Sequence, residues 1–426
     1  MDECWNILDN FHKDKKFKNM TEEQTNALEK VKNGHSIFLT GKAGSGKTFT
    51  ITKIIEWAKQ EKKTIGITAT TGASAILIGG QTIQSFMGIG CGTATFKEMI
   101  NMVSMNPQKI KLFKSLEILI IDEISMIDHV LFDKISDVLG TFRNNIAPFG
   151  GIQLIFCGDF LQNCPLNEKY CFLSKYWKDL GIYTIFLKNF IRHQDDIEFQ
   201  EILESIRVGK INKHILNRLE KLKETKFPEG LQPTILFGKN VDVDLINKTK
   251  YNKLVNENGA AHKSFITITY GKNGKEWAQS CKVPDKIDLC IGAQVMITWN
   301  ISVDDGLING TRGVVVDFSP FPVIQLFGSS KKVMIELHTI KDENSPDSSI
   351  VFMPLKLAWA LTIGKSQGCT LDYCIIDLNS WTYGQAYCAL SRARSLKHIK
   401  LIGDIKPRYL RASPEVIQFY DSLIIS

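Results

Sequence analysis

Short apolar runs alternate along the chain with amphipathic stretches, the pattern of strands feeding helices in an α/β fold. Ser36–Thr40 reads as a buried strand, and Phe49–Ala58 after it has the apolar spacing of a helix. Thr64–Ala69, Leu116–Ile121 and Gly151–Cys157 repeat the strand pattern, each followed by polar or small residues. Further strands are predicted at Tyr183–Leu187, Thr234–Phe237, Phe265–Tyr270 and Ala293–Thr298, with a helix at Phe199–Val208. This pattern resumes after a first sheet should be complete, so a second α/β domain is expected. Val314–Phe318, Val323–Phe327 and Lys332–Leu337 are short alternating strands, and no helix fits between 311 and 353. A small all-β insert is expected there. Pro354–Leu361 then resumes the α/β pattern, and Ala389–Ala393 reads as part of a helix.

The first strand–helix junction carries the candidate chemistry. Gly41-Lys-Ala-Gly-Ser-Gly-Lys47-Thr48 is a glycine-rich turn of the form G-x-x-x-x-G-K-T. Gly41, Gly44 and Gly46 let the backbone aim N–H groups at phosphate oxygens, and the helix start adds partial positive charge. Lys47 reaches the β/γ-phosphates and Thr48 offers a hydroxyl to Mg2+. Asp122 and Glu123 end the run Leu116–Ile121, facing that loop. Asp122 can hold Mg2+ through water, and Glu123 can deprotonate the attacking water. Gln162 follows another strand and can sense the γ-phosphate. Gln24 has two readings: it completes a capping box with Thr21, or it presents its amide to adenine. Beyond Thr64–Ala69 lie hydroxyls, small residues and Phe86, which either stacks on a base or belongs to the core.

Composition narrows the class. The chain has 426 residues, enough for two or three domains, and is 44% hydrophobic, enough for sizeable cores. The net charge of +7 suits a polyanionic partner and equally suits a lysine-rich surface. Its ten cysteines make no C-x-x-C pair and no zinc spacing, so they read as reduced thiols of an intracellular protein. No signal-peptide pattern and no run of transmembrane length is present in the sequence. Residues 1–20 read as a polar, lysine-rich lead-in.

Taken in order, Thr21–Gln24, the phosphate loop, Thr71-Gly-Ala-Ser, Thr82-Ile-Gln-Ser-Phe, Ile121–Asp128, Gly158–Gln162, Arg192, Gly310, Thr362–Gly368 and Ala389–Ala393 form a series. It resembles the motif set of superfamily 1B DNA helicases, and within it the Pif1 family, whose signature is similar to Glu123–Lys134. The resemblance implies two RecA-like parallel-sheet domains, at 21–185 and 186–426. The first would carry a small β-hairpin or wedge insert at about 86–105, the second an SH3-like insert at about 312–353. It implies ATP and Mg2+ as cofactors. Nucleotide contacts would come from Gln24, Gly41, Ala43, Gly44, Ser45, Gly46, Lys47, Thr48 and Phe49. Lys47, Glu123, Gln162 and two arginine fingers, Arg192 and Arg392, would act in hydrolysis.

DNA contacts would come from Thr71, Gly72, Gln84, Ser85, Phe86, Asn163, Pro165, Asn309, Lys365, Ser366 and Gln367. The implied partners are single-stranded DNA and forked or structured DNA, with no membrane. A monomer that can dimerise on DNA is expected, inside the cell with access to DNA. The implied activity is ATP-dependent 5′→3′ translocation with duplex opening. The rivals are a translocase that unwinds poorly and a strand binder with a vestigial nucleotide site. Four positions depart from the family pattern: Gln84 and Gly364 replace His, Asn163–Pro165 replaces Leu-Pro-Pro, and His193 follows Arg192.

Overall fold

The structure, a computed structural model, describes residues 20–425 except 91, 166, 189–195, 228–232, 272–273, 276–277, 279–282, 300, 303–304, 306, 308–310, 328–329, 343–344, 367–370, 372 and 380. Helix α1 (Glu22–Lys32) starts at a capping box in which Thr21 and Gln24 each bond the other's backbone. There follow β1 (Ile37–Gly41), α2 (Lys47–Gln60), β2 (Ile65–Ala69), α3 (Gly72–Leu77), β3 (Gln81–Thr82) and α4 (Ile83–Met87). Then come α5 (Phe96–Ser104), α6 (Pro107–Ser115), β4 (Ile118–Asp122), α7 (His129–Arg143), β5 (Gln153–Cys157) and β6 (Tyr183–Leu187).

The six strands make one all-parallel sheet in the order β3-β2-β4-β5-β1-β6. Alternate residues serve opposite faces. Ile37, Leu39, Ile118 and Ile120 enter one apolar cluster, while Phe38, Leu119, Ile121 and Phe156 enter another. A sheet buried on both faces explains why these strands read as continuous apolar runs. Among the described residues the segment 86–105, expected to hold a small β-hairpin or wedge insert, contains helix and no strand, so it is not a hairpin. Thr95 and Glu98 form a capping box that starts α5, and Met99 and Val103 bury its inner face.

After α8 (Ile197–Arg207) and α9 (Lys213–Lys221) the chain enters a second compact unit, residues 230–365. It holds β7 (Thr234–Phe237), α10 (Asn240–Asn252), β8 (His262–Ile266), β9 (Ile268–Tyr270), β10 (Lys286–Cys290) and β11 (Gln294–Ile297). It continues with β12 (Arg312–Phe318), β13 (Pro322–Leu326), β14 (Lys332–Met334), β15 (His338–Asp342), β16 (Ser345–Phe352), β17 (Leu355–Leu357) and β18 (Ala360–Thr362). The strand expected over 265–270 is two strands. Thr267 leaves the ladder to bond Asp285 O and Pro284 O, so β8 pairs with β10 and β9 with β16. Among the described residues, 311–353 contains strands and no helix, as expected. The antiparallel sheet β14-β13-β12-β11-β17 recruits strands on both sides of the expected insert boundaries. Strands β7 and β18 pair in parallel.

The rest of the chain returns to the first unit, which comprises Lys18–Glu229 and Ser366–Ser426. By compactness the chain therefore divides at 229/230 and 365/366, a different criterion from the motif-based boundary at 185/186. This last part holds β19 (Cys374–Asp377), α11 (Gln385–Leu390), β20 (Ile399–Ile402) and α12 (Pro414–Ile425). Strands β19 and β20 pair in parallel. Helix α12 packs on the first sheet. Val416 and Tyr420 join the cluster of Phe38 and Phe156, and the Phe419 ring stacks on Phe172 at 4.1 Å. The expected helix at Ala389–Ala393 ends earlier, at Leu390, with Ser391 as its cap.

Candidate active site

The glycine-rich turn joins β1 to α2 at the carboxyl end of the sheet. Gly46 has φ 89°, a left-handed conformation that suits glycine, and it caps α2. At Gly41 a Cβ would lie 2.6 Å from Leu187 O on the neighbouring strand, so only glycine fits. Lys47 Nζ donates to Gly41 O at 2.7 Å and Lys42 O at 3.0 Å, which holds the ammonium over the turn. Thr48 is exposed at the first turn of α2. A glycine-rich turn, a helix start and an ammonium together have the make-up of an anion site.

The two acids stand at the end of β4. Asp122 is buried, and burial pushes its carboxyl up, against a thiol bond from Cys157, the Glu123 N–H and the Lys47 charge. The Glu123 N–H donates to Asp122 Oδ1 at 2.9 Å. Glu123 has φ 55°, a left-handed conformation that is uncommon for a residue with a Cβ and concentrates at functional sites. Thr70 braces this corner, donating its N–H to Asp122 O and its hydroxyl to Glu123 O. Among the described residues no group of three acid, His or Cys side chains could hold a metal alone. At phosphate sites Mg2+ takes one or two protein oxygens and completes its shell with phosphate and water. The exposed Thr48 hydroxyl and the buried Asp122 carboxylate are oxygens of that kind.

The Gln162 turn is held by a buried ion pair. Gln162 donates its N–H to Asp159 O at 2.9 Å and its Nε2 to Asp159 Oδ2 at 3.4 Å. Arg207 at the end of α8 forks onto both oxygens of Asp159 at 3.0 Å. Burial alone would raise the Asp159 carboxyl, but the Arg207 charge and hydrogen bonds hold it below the usual range. Tyr420 Oη donates to Asp159 Oδ1 at 3.2 Å and lies 2.8 Å from Thr40 Oγ1.

Helix α11 touches two of these motifs. Gly384 at its start packs so tightly that a Cβ there would lie 1.9 Å from Gln162 O. Tyr387 in its middle accepts the Ala43 N–H of the glycine-rich turn at 2.8 Å. Arg392 follows its end. It is 3% exposed, with Nε donating to Cys388 O at 2.9 Å and Nη2 to Ser391 Oγ at 2.8 Å. A surface arginine paired with an acid is thereby excluded. Arg394 is exposed.

Other predicted residues divide by place. Gln24 is buried, and its Oε1 accepts the Thr21 N–H at 3.0 Å, the capping role. Phe49 is half-buried, with the Lys53 ammonium 5.7 Å from its ring centroid. Thr71 caps the start of α3 through Ser74, beside Gly72, and Gln84 and Ser85 lie on α4 next to it. Ser85 is exposed and Gln84 half-buried. Phe86 corrects one of the two readings offered by the sequence. It is 4% exposed and packs on Phe113 in the main apolar cluster, while Ser85 beside it on the short helix α4 stays exposed. A ring so covered has no face for a base. Asn163 and Pro165 are buried behind Gln162. Lys365 is exposed in the second unit, and Ser366 is buried. At Gly364 a Cβ would meet nothing within 4 Å, so the side chain missing there has room. Arg192, His193, Asn309 and Gln367 lie outside the described residues.

Sequence patterns missed Asp159, Arg207, Tyr387 and Tyr420. An acid three residues before Gln162 was the available signal for the first. Nothing local marks the other three, which matter only through partners distant in sequence. Cys157, Cys164, Cys171, Cys290, Cys374 and Cys388 are buried free thiols. Among the described residues no helix is long and apolar enough to cross a membrane.

Comparison with known proteins adds independent findings. Residues 19–216 match the family model described as PIF1-like helicase, and residues 278–318 match that of the DNA helicase Pif1 2B domain. The chain is 37% identical over 416 residues to the ATP-dependent DNA helicase PIF1 of Danio rerio, covering 95% of this chain and 64% of that protein. It is similar in structure to the Pif1 helicase from Candida albicans, with a TM-score of 0.87 and 31% identity, covering 95% of this chain and 99% of that one. It is also similar to the Pif1 helicase from Bacteroides in complex with ADP-AlF3 and ssDNA, with a TM-score of 0.76 and 27% identity over 96% and 98% of the chains.

Proposed function

Because this chain belongs to the PIF1-like helicase family, we propose that it is an ATP-dependent DNA helicase moving 5′→3′ along single-stranded DNA and opening duplex or structured DNA. One observation carries the reading. The phosphate loop and the Gln162 turn both contact α11, the helix that leads directly into Arg392. This packing of α11 against both motifs supports a single phosphate site built from distant parts of the chain. The chain spans 64% of the length of the Danio rerio relative, and the activity proposed is that of the present chain.

In this reading Lys47 and the loop amides bind the phosphates, and Gln24 and Phe49 flank the adenine. Thr48 and Asp122 would hold Mg2+, which would neutralise phosphate charge. Glu123 orients and deprotonates the attacking water, and Gln162 senses the γ-phosphate. Arg392 and Arg192 stabilise the charge that develops in the transition state. Thr71, Gly72, Gln84 and Ser85 contact the strand, as do Asn163, Pro165, Asn309, Lys365, Ser366 and Gln367. The domain division at 185/186, the SH3-like character of the insert and a monomer that dimerises on forked DNA belong to the same reading.

The test is single-turnover unwinding of 5′-tailed and 3′-tailed duplexes with and without ATP and Mg2+. Unwinding of the 5′-tailed duplex alone, and only with ATP, is expected. Strand-stimulated hydrolysis without unwinding would favour the translocase reading. Preference for the 3′ tail would overturn the proposed polarity.

A further inference from the structure

One polar contact of the phosphate loop is not used by phosphate. The Ala43 N–H donates to Tyr387 Oη at 2.8 Å, joining residues 344 apart in sequence. Tyr387 is 1% exposed, so its ring is fixed by packing and its hydroxyl has a defined place. Burial pushes the phenol well above its ordinary range and keeps it protonated. A buried backbone N–H is almost always paired. Here the partner is a side chain of α11, so the shape of the loop depends on where that helix sits. The same helix begins at Gly384, against the Gln162 carbonyl, and ends two residues before Arg392.

We propose that Tyr387 is a positioning residue for ATP hydrolysis, registering the phosphate loop against the helix that leads to Arg392. The proposal rests on the ATPase reading above and names a residue that the motif set did not. A second tether, from Lys42 to Glu204 on α8 at 2.6 Å, cannot substitute. Its side chains are 26% and 39% exposed, and a pair so open to water adds little. The Tyr387 bond is buried and aimed at the turn itself.

Removing one hydroxyl keeps the ring packing and frees the loop from the helix. Small misplacements of reacting groups cost rate more than they cost binding. The experiment uses the full chain as Tyr387→Phe, Arg392→Ala and the double variant. Strand-stimulated ATPase gives kcat, a fluorescent ATP analogue gives nucleotide affinity, and thermal melts report folding. Tyr387→Phe should lower kcat about ten- to a hundredfold while affinity stays within about threefold. On the Arg392→Ala background the same change should lower kcat by no more than about threefold, because the register then has nothing left to align. A kcat within about twofold of the parent overturns the proposal, as does a parallel loss of affinity or full additivity. If Tyr387→Phe melts far below the parent, the additivity comparison is made through Ala43, by hydrogen exchange of its amide in the parent and in Arg392→Ala. An amide that exchanges as fast as exposed loop N–H groups then overturns it. A parent chain that hydrolyses no ATP sinks the ATPase reading and this one with it. An active parent with an unaffected variant sinks only this one.

Discussion

Arg207 and Asp159 form a largely buried ion pair of two parallel hydrogen bonds, both 3.0 Å, directly behind the Gln162 turn. Breaking such a pair strands a charge in the interior, which costs about 3–5 kcal/mol. Asp159→Asn should therefore destabilise the chain by that order in denaturant melts. A loss under about 1 kcal/mol would mean that water reaches the pair. The pair also sets a pH dependence. The folded Asp159 pKa lies below its unfolded value, so its stabilisation is present above the unfolded pKa. It is lost as pH falls below about 4 toward the folded value. The stability gap between parent and Asp159→Asn should narrow in melts below that pH and be constant above it.

Lys47→Ala should abolish ATP hydrolysis and leave strand binding without nucleotide intact. The ammonium sits over the turn, where in the proposed reading it would meet phosphate charge in both ground and transition states. Steady-state ATPase and filter binding check this together. Near-parent turnover would show that the loop is not the phosphate site.

Glu123→Gln should bind nucleotide and Mg2+ almost as the parent does while hydrolysis slows by about a hundredfold or more. The amide keeps the shape at this left-handed position but cannot accept the proton. Collapse of nucleotide binding would make Glu123 a structural residue.

Arg392→Ala should lower kcat far more than it weakens ATP binding, since its contact is strongest in the transition state. Arg394→Ala is the control. Arg394 lies exposed beyond the end of α11, whereas Arg392 is buried. Equal, small effects from both would remove Arg392 from the site.

Phe86→Ala should destabilise the fold by about 3–5 kcal/mol, the usual cost of emptying a core phenylalanine site. Strand affinity of the folded fraction should change little. A large loss of affinity with no change in melting would return Phe86 to the strand-binding face.

Much of the candidate site was legible because its residues are local in sequence. The glycines, Lys47 and Thr48 sit on one turn, and Asp122 and Glu123 on the end of one strand. Apolar runs located β1, β4, β6 and β7 closely, continuous where the strand is buried on both faces, as in β1 and β4. Four things were not legible. The Phe86 pattern of hydroxyl and aromatic fits a strand-binding loop and a short helix with one buried face equally well. The break at Thr267 depends on which partner each half of the run finds. The extent of the β insert depends on pairing with β11 and β17, which lie outside its own pattern. The ties from Tyr387 and Tyr420 to the first sheet span most of the chain, and no window of sequence contains both ends.

The last of these ties bears on synthesis. Thr40 and Tyr420 are 380 residues apart, and the aromatic face that α12 covers includes Phe38, Phe160 and Phe172. While the chain is being made, the first sheet waits with that face bare until the ribosome has released residues 414–425. Segments completed early normally fold first. Here the first sheet depends on a helix made long after its own strands, so a nascent chain stalled before residue 414 presents an aromatic surface to chaperones and to its neighbours.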